Sequence, residues 1–234
     1  MFYTIYKKKK IQIDCVLKIN NNQIKRVPFS KYLGVIIDEN LTWSKHIAGI
    51  VSKITRFAGI FYRLRNILPR PVLKTIYFSM IYPHILYGIE LYANTCMTYL
   101  EPQIKANNKL LRIIQNKHFR SHTNDLYLNF NSLPIPLLFK FQIYKFLHRF
   151  NHFRSSQPSI YQNYFTFNTF FHHHLTRRQL DLHKFSTSTS IGQRQIKFIG
   201  VTLWNELGSE LKIYMSPLVF KLKIKKFLQT NLVA

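Results

Sequence analysis

The chain has 234 residues, 47% of them hydrophobic, which suffices to bury one ordinary core or two small ones and sets it apart from disordered proteins. Lysine and arginine number 34 against 9 acidic residues, a formal net charge of +25, far more than solubility requires and suited to a polyanionic partner; a solvated basic face is the competing reading. Cys15 and Cys96 stand far apart with no Cys/His pattern, which leaves neither a disulfide framework nor a zinc site and fits a reducing, intracellular setting, nuclear or cytoplasmic.

Along the chain, Lys7 to Lys10 form a basic run that is a weak nuclear signal on its own, and the Met1 to Lys10 stretch, with its charge after its apolar residues and no small-residue cleavage site, does not read as a secretory signal. Ile11, Ile13, Cys15, Leu17 and Ile19 alternate as on one face of a strand, and after the Asn20-Asn21-Asn22 turn residues 23–27 pair back as a hairpin. Residues 32–38 are continuous and branched, which predicts a further, more buried strand. The period then changes. From residue 40 to 68 one helix is expected, with Ser44 able to cap it and Pro69 and Pro71 closing it. Counted from Lys45, its apolar side chains Ile47, Ile50, Val51, Ile54, Phe57, Ala58 and Phe61 fall at about 120° to 240°, whereas Lys53, Arg56 and Arg63 fall at roughly 80°, 20° and 0°. Lys45, Lys53, Arg56 and Arg63 thus form a basic ridge opposite the core face; Arg65 breaks the pattern and is expected to snorkel from the helix end.

Residues 72–92 are the most apolar, but Lys74, Pro83, His84 and Glu90 interrupt them, so a buried helix kinked at Pro83 is expected in place of a membrane span. Amphipathic helices follow at 100–117 and at 135–153, the latter started by Pro134 and Pro136. Residues 154–171 are rich in Ser, Asn, Gln and aromatics without a period and predict a loose connection. An apolar cluster around Val201, Leu203 and Trp204 precedes a basic helix from 217 to 228. Its lysines, Lys221, Lys223, Lys225 and Lys226, either hold phosphate or keep a terminal helix soluble.

The stretch Lys31-Tyr32-Leu33-Gly34-Val35-Ile36-Ile37-Asp38, followed by Leu41, Trp43 and His46-Ile47, resembles the block after the polymerase palm in non-LTR retrotransposon reverse transcriptases of the jockey and chicken-repeat type. The likeness continues in order through Leu64-Arg65, Leu68-Pro69, the run from Tyr77 to Pro83, Tyr87-Gly88, the helix with Lys109, Arg112 and Ile113, then Thr176-Arg177, Gly200, the run from Leu203 to Leu207, and Phe220-Lys221. This resemblance implies that Tyr32, Leu33 and Gly34 belong to a primer grip and that the following helices are thumb-like and lie along a template-primer duplex of RNA or DNA. Gly34 suits a close approach of backbone to a nucleic-acid strand, or else a bulge.

The same family uses an acidic pair and a further palm aspartate to hold two catalytic metal ions. No Asp-Asp pair occurs in this sequence; Asp38-Glu39 follows the Leu-Gly block and is expected to end a strand. The resemblance therefore implies a remnant cut off downstream of the catalytic aspartates, without enzyme activity, cofactor or small-molecule substrate of its own, magnesium being needed only with the missing palm. A domesticated RNA- or DNA-binding protein and a translated relic are the alternatives.

The expected fold class is α+β: a small N-terminal antiparallel hairpin sheet, a mainly helical thumb-like bundle and a small C-terminal module. Residues 1–40 are assigned to the primer-grip region, 41–153 to the thumb-like helices, 154–176 to a linker and 177–234 to the basic module. His172-His173-His174 lacks metal-ligand spacing, since consecutive residues cannot share one face. Trp43 and Trp204 sit in apolar clusters and are expected to pack and not to stack on bases.

Overall fold

Asn20 and Asn21 adopt left-handed backbone, with φ of 47° and 64°, and their turn folds β1 (Lys18–Ile19) onto β2 (Asn22–Gln23), Lys18 opposite Gln23. The rest of the expected first strand lies outside the described residues, which are 18–171 and 181–232 of this computed structural model. A separate hairpin pairs β3 (Phe29–Tyr32) with β4 (Val35–Asp38), Tyr32 opposite Val35. Residues 32–38 are therefore not one strand. Leu33 and Gly34, at φ 46° and 85°, make a two-residue turn with both positions left-handed, whose twist suits paired strands. The class is α+β, as expected: two small antiparallel hairpins followed by helices.

Asp38 ends β4 and fixes the entry to α1 (Ser44–Leu64). Its carboxylate accepts the Thr42 N–H at 2.9 Å, the Thr42 hydroxyl at 2.8 Å and the Trp43 N–H at 2.7 Å. Burial alone would raise this carboxyl, but the three donors together hold it below its ordinary range. Ser44 makes no cap bond; Trp43 precedes the helix with φ 62°. Along α1, His46, Ile47, Ile50, Ile54, Ala58 and Phe61 are buried, with Val51 and Phe57 partly so, matching the apolar face read from periodicity. The helix stops at Leu64, four residues short of the expected end, and residues 65–67 form turns before Pro69.

The apolar stretch after Pro69 is broken twice, giving α2 (Arg70–Met80), α3 (Tyr82–Leu86) and α4 (Ile89–Tyr92). Pro83 sits in the first turn of α3, where its missing N–H costs least, and Gly88, at φ 68°, opens the second break before α4. No helix of the described residues is long and apolar enough to cross a membrane. Helix α5 (Met97–Ile114) packs along α1, and α6 (Thr123–Phe130), not foreseen, follows a short loop. A buried polar chain joins α2, α5 and α6. Tyr77 donates to Asn107 Oδ1 at 3.0 Å, Asn107 Nδ2 to the Tyr127 hydroxyl at 3.0 Å, and Tyr127 to Asn108 at 2.6 Å. Burial raises both phenols, Tyr127 to about 12, so they stay neutral donors throughout the physiological range.

Helix α7 (Ile135–His152) begins at Pro134, as expected, and α4, α10 and α12 pack around it. The following segment is less loose than its composition suggests: α8 (Ser159–Gln162) precedes Phe165, which is 3% exposed and meets the Phe150 ring edge-on at 5.0 Å. Short turns redirect the chain there, so no period survives in the sequence. The remaining elements are α9 (Ser190–Gln193), α10 (Ile196–Glu206), α11 (Ser209–Lys212) and α12 (Pro217–Thr230). Ser216 caps α12 by accepting the Val219 N–H, and Trp204, 3% exposed, packs in the core as its apolar setting implied.

Candidate nucleic-acid interface

Lys45, Lys53, Arg56 and Arg63 are all exposed on α1, and none of them belongs to a salt bridge among the described residues. From Lys45 to Arg63 the ridge runs roughly 27 Å at 1.5 Å per residue, enough to follow several phosphates of one strand at about 3.4 Å each along the duplex axis. The four cations are not equivalent. Lys45 Nζ lies 3.3 Å from the centroid of the Phe29 ring on β3, so it ties the helix to the hairpin through a cation–π contact. Lys53 stands near His46 and His84; burial first and the Lys53 charge second lower both imidazoles. Arg65 stacks on the half-exposed ring of Tyr62, 4.2 Å from its centroid, with its Nε buried and unpaired, and so does not snorkel freely.

Tyr32 and Leu33 are 66% and 73% exposed at the tip of the second hairpin, available to a partner. Gly34 is needed for reasons internal to the protein. Its φ is +85°, and a Cβ there would lie 3.3 Å from Cε1 of Tyr87, whose hydroxyl donates to the Leu33 carbonyl. A tight turn, not a bulge, accounts for this glycine. Gly88 mirrors it, with φ +68° and a notional Cβ 3.3 Å from Val35 Cγ2. Leu33-Gly34 and Tyr87-Gly88, far apart in sequence, are thus two halves of one joint between the hairpin and the α3–α4 corner. A further tie is the Ile36 N–H donating to His46 Nδ1 at 3.4 Å.

Tyr87 and His46 were not among the sequence-predicted site residues. Their role comes from contacts across elements, which periodicity does not reveal. Lys109 was also left out of the ridge; it lines a groove of about 340 Å³ between α1 and α5, with Thr55, Gly59, Tyr62 and Ile113. Among the described residues no group of three His, Cys, Asp or Glu could hold a metal ion, and His172-His173-His174 falls outside them.

The joint gives a direct test. Gly34→Val forces a branched residue into left-handed backbone and against the Tyr87 ring, which should cost about 1–3 kcal/mol locally. Amide exchange at Val35, Ile36 and Ile37 should accelerate by ten-fold or more while α5 and α7 keep their protection. Equal protection in variant and wild type would mean that the hairpin is held by something other than this turn.

No family model matches the sequence, and no solved structure matches it. Three curated proteins do. The probable RNA-directed DNA polymerase from transposon X-element of Drosophila melanogaster is 31% identical over 88 residues, which is 36% of this chain and 10% of that protein. The RNA-directed DNA polymerases from mobile element jockey of Drosophila melanogaster and Drosophila funebris are 28% identical over 114 residues and 30% over 117. Those matches cover 47% and 48% of this chain but only 12% and 13% of the two polymerases. Between a third and a half of this chain is therefore related to a small part of the RNA-directed DNA polymerases of jockey-type non-LTR elements.

Proposed function

We propose that this chain acts as the primer-grip and thumb portion of a non-LTR reverse transcriptase, gripping a template-primer duplex mainly through its phosphates. The observation that carries this reading is the α1 ridge, which is exposed, unpaired with acids and joined at its start to a hairpin whose tip presents Tyr32 and Leu33. Lys53, Arg56 and Arg63 contact phosphates; Lys45 holds the hairpin in register and offers its remaining donors. In this reading residues 1–40 contain the grip, 41–153 the thumb, and 177–234 a basic module reached through 154–176. Phosphate contact places the duplex without reading its sequence.

Polymerisation needs carboxylates that hold two metal ions at the attacking and leaving oxygens, and this sequence has no Asp-Asp pair; Asp38 is taken up at the entry to α1 and Glu39 pairs with Arg26. The chain therefore binds but does not extend a primer by itself; a palm would supply both the carboxylates and the magnesium. Fluorescence anisotropy with DNA and RNA–DNA duplexes of unrelated sequence over a salt series tests the binding. Affinity should fall linearly on a log–log plot, with similar lines for the different sequences. Binding indifferent to salt, or template-dependent incorporation lost on mutating an acidic residue of this chain, would overturn the reading.

A further inference from the structure

A second group of cations comes together from three helices other than α1, widely separated in sequence. Lys145 and Arg149 are one turn apart on α7, and Lys221 and Lys225 one turn apart on α12. The two helices pack together, with the His148 ring stacked on Phe220 at 4.0 Å between centroids, so that Lys221 is set beside the α7 pair. From α2, Lys74 Nζ reaches 5.3 Å from the centroid of the Phe130 ring, while at the next residue Lys225 Nζ donates to the Asn131 carbonyl at 2.7 Å. None of the five is in a salt bridge among the described residues.

This arrangement is costly as it stands. Burial first, and then the neighbouring cations, depress both Lys145 and Lys225 below the ordinary lysine range; Lys145 feels Lys221 and Arg149, and Lys225 feels Lys74 and Lys221. Glu90 is the single carboxylate that acts in the other direction. Like charges gathered on packed helices, with their water partly stripped and Glu90 alone to offset them, are relieved by a multivalent anion. Solubility alone would be served better by exposed lysines such as Lys223 and Lys226 than by the half-buried Lys74, Lys145 and Lys225.

We propose that Lys74, Lys145, Arg149, Lys221 and Lys225 form a second phosphate-binding site, which holds a stretch of nucleic-acid backbone distinct from the one on α1. The proposal rests on reading the chain as a nucleic-acid binder, but it concerns other residues on other helices and can stand or fall separately. Its ligand is the repeating phosphate of a single or double strand, held without base readout. Five cations from three helices offer a broad electrostatic surface in place of a pocket closed around one phosphate group.

The test uses the full chain with Lys145→Gln and Lys221→Gln together; Lys225 is left in place because it also satisfies the Asn131 carbonyl. Duplex affinity at about 0.1 M salt should drop roughly 10- to 100-fold, and the log–log salt slope should flatten by about 2 units, one per lost contact. The Lys→Arg pair at the same positions should keep the wild-type slope. Inorganic tripolyphosphate should raise the Tm of the wild type more than sodium chloride at matched ionic strength, and raise that of the Gln variant less. If a chain with Lys53→Glu, Arg56→Glu and Arg63→Glu together binds normally while the Gln variant does not, the thumb reading fails and this site stands; the converse overturns this site alone. A folded Gln variant with unchanged affinity and slope overturns it too. So does a wild type that tripolyphosphate stabilises no more than salt does, or a tripolyphosphate effect with no change in the duplex slope, which would mark a site for small polyphosphates only.

Discussion

Replacing Lys53, Arg56 and Arg63 together by glutamate is expected to weaken duplex binding by at least about a hundredfold at 0.1 M salt and to flatten the log–log salt slope by about 3 units. Each cation that neutralises a phosphate releases condensed counterions, so the slope counts contacts, and the reversal adds repulsion to what is lost. The loss should be the same for unrelated sequences, because phosphates carry no sequence information. Folding should survive: the three side chains are exposed and without acid partners, and surface changes of this kind usually cost within about 0.5 kcal/mol each. An internal control comes from His84. Burial and Lys53 both lower its imidazole, so Lys53→Glu should move it back towards its ordinary value, as read by NMR titration without any ligand. A folded triple variant that binds duplex with unchanged affinity and slope would reduce α1 to a solvated face.

The parts of the molecule that could be read from the residues are those where one periodicity runs long enough to accumulate. Helices α1, α5, α7 and α12 each present several apolar residues at helical spacing, and the exposed ridge of α1 is the complement of that stripe. What escaped the sequence depends on single positions or on contacts between elements. Leucine has no preference for left-handed backbone, so nothing marks Leu33 as a turn residue, and the break there was missed although Gly34 stands beside it. The second break, at Gly88, was hidden because Pro83 already explained an interruption of the same stretch. Asn107 and Gln103 look like the polar side of α5, yet both are buried, because Tyr77, Tyr127 and Tyr92 bring hydroxyls to meet them. The ridge was legible as a set, but the diversion of Lys45 to Phe29 was not. The second cation group was invisible for the same reason, since Lys74, Lys145 and Lys221 become neighbours only when α2, α7 and α12 are packed.

Acidification should destabilise the protein well before its carboxylates titrate, with His148 carrying the largest single share. Its ring is 1% exposed and stacked on Phe220, and it lies 4.8 Å from the His152 ring. Burial first, and the charge of His152 second, lower it from 6.5 to about 4, against a backbone hydrogen bond at Met215 that pulls it up. A histidine whose pKa is lower in the folded chain favours folding while neutral. Its contribution is complete above pH 6.5, declines as the pH falls, and is gone below about 4. A gap of about 2.5 units corresponds to about 3 kcal/mol, a large fraction of the roughly 5–15 kcal/mol that holds a typical domain together. His46, also lowered by burial, acts in the same sense. Urea unfolding of wild type and His148→Leu at a series of pH values separates the contributions, because both proteins share every carboxylate and His46. The stability of the variant should decline less than that of the wild type between pH 6.5 and 4, so that the gap between the two curves changes by up to about 3 kcal/mol over that interval. Parallel curves would show that His148 does not titrate on unfolding. Because Phe220 lies against this ring and Lys221 follows it in the chain, protonation of the folded ring, which sets in only near pH 4, should also loosen α12 from α7, so polyphosphate stabilisation should persist down to that pH and weaken below it.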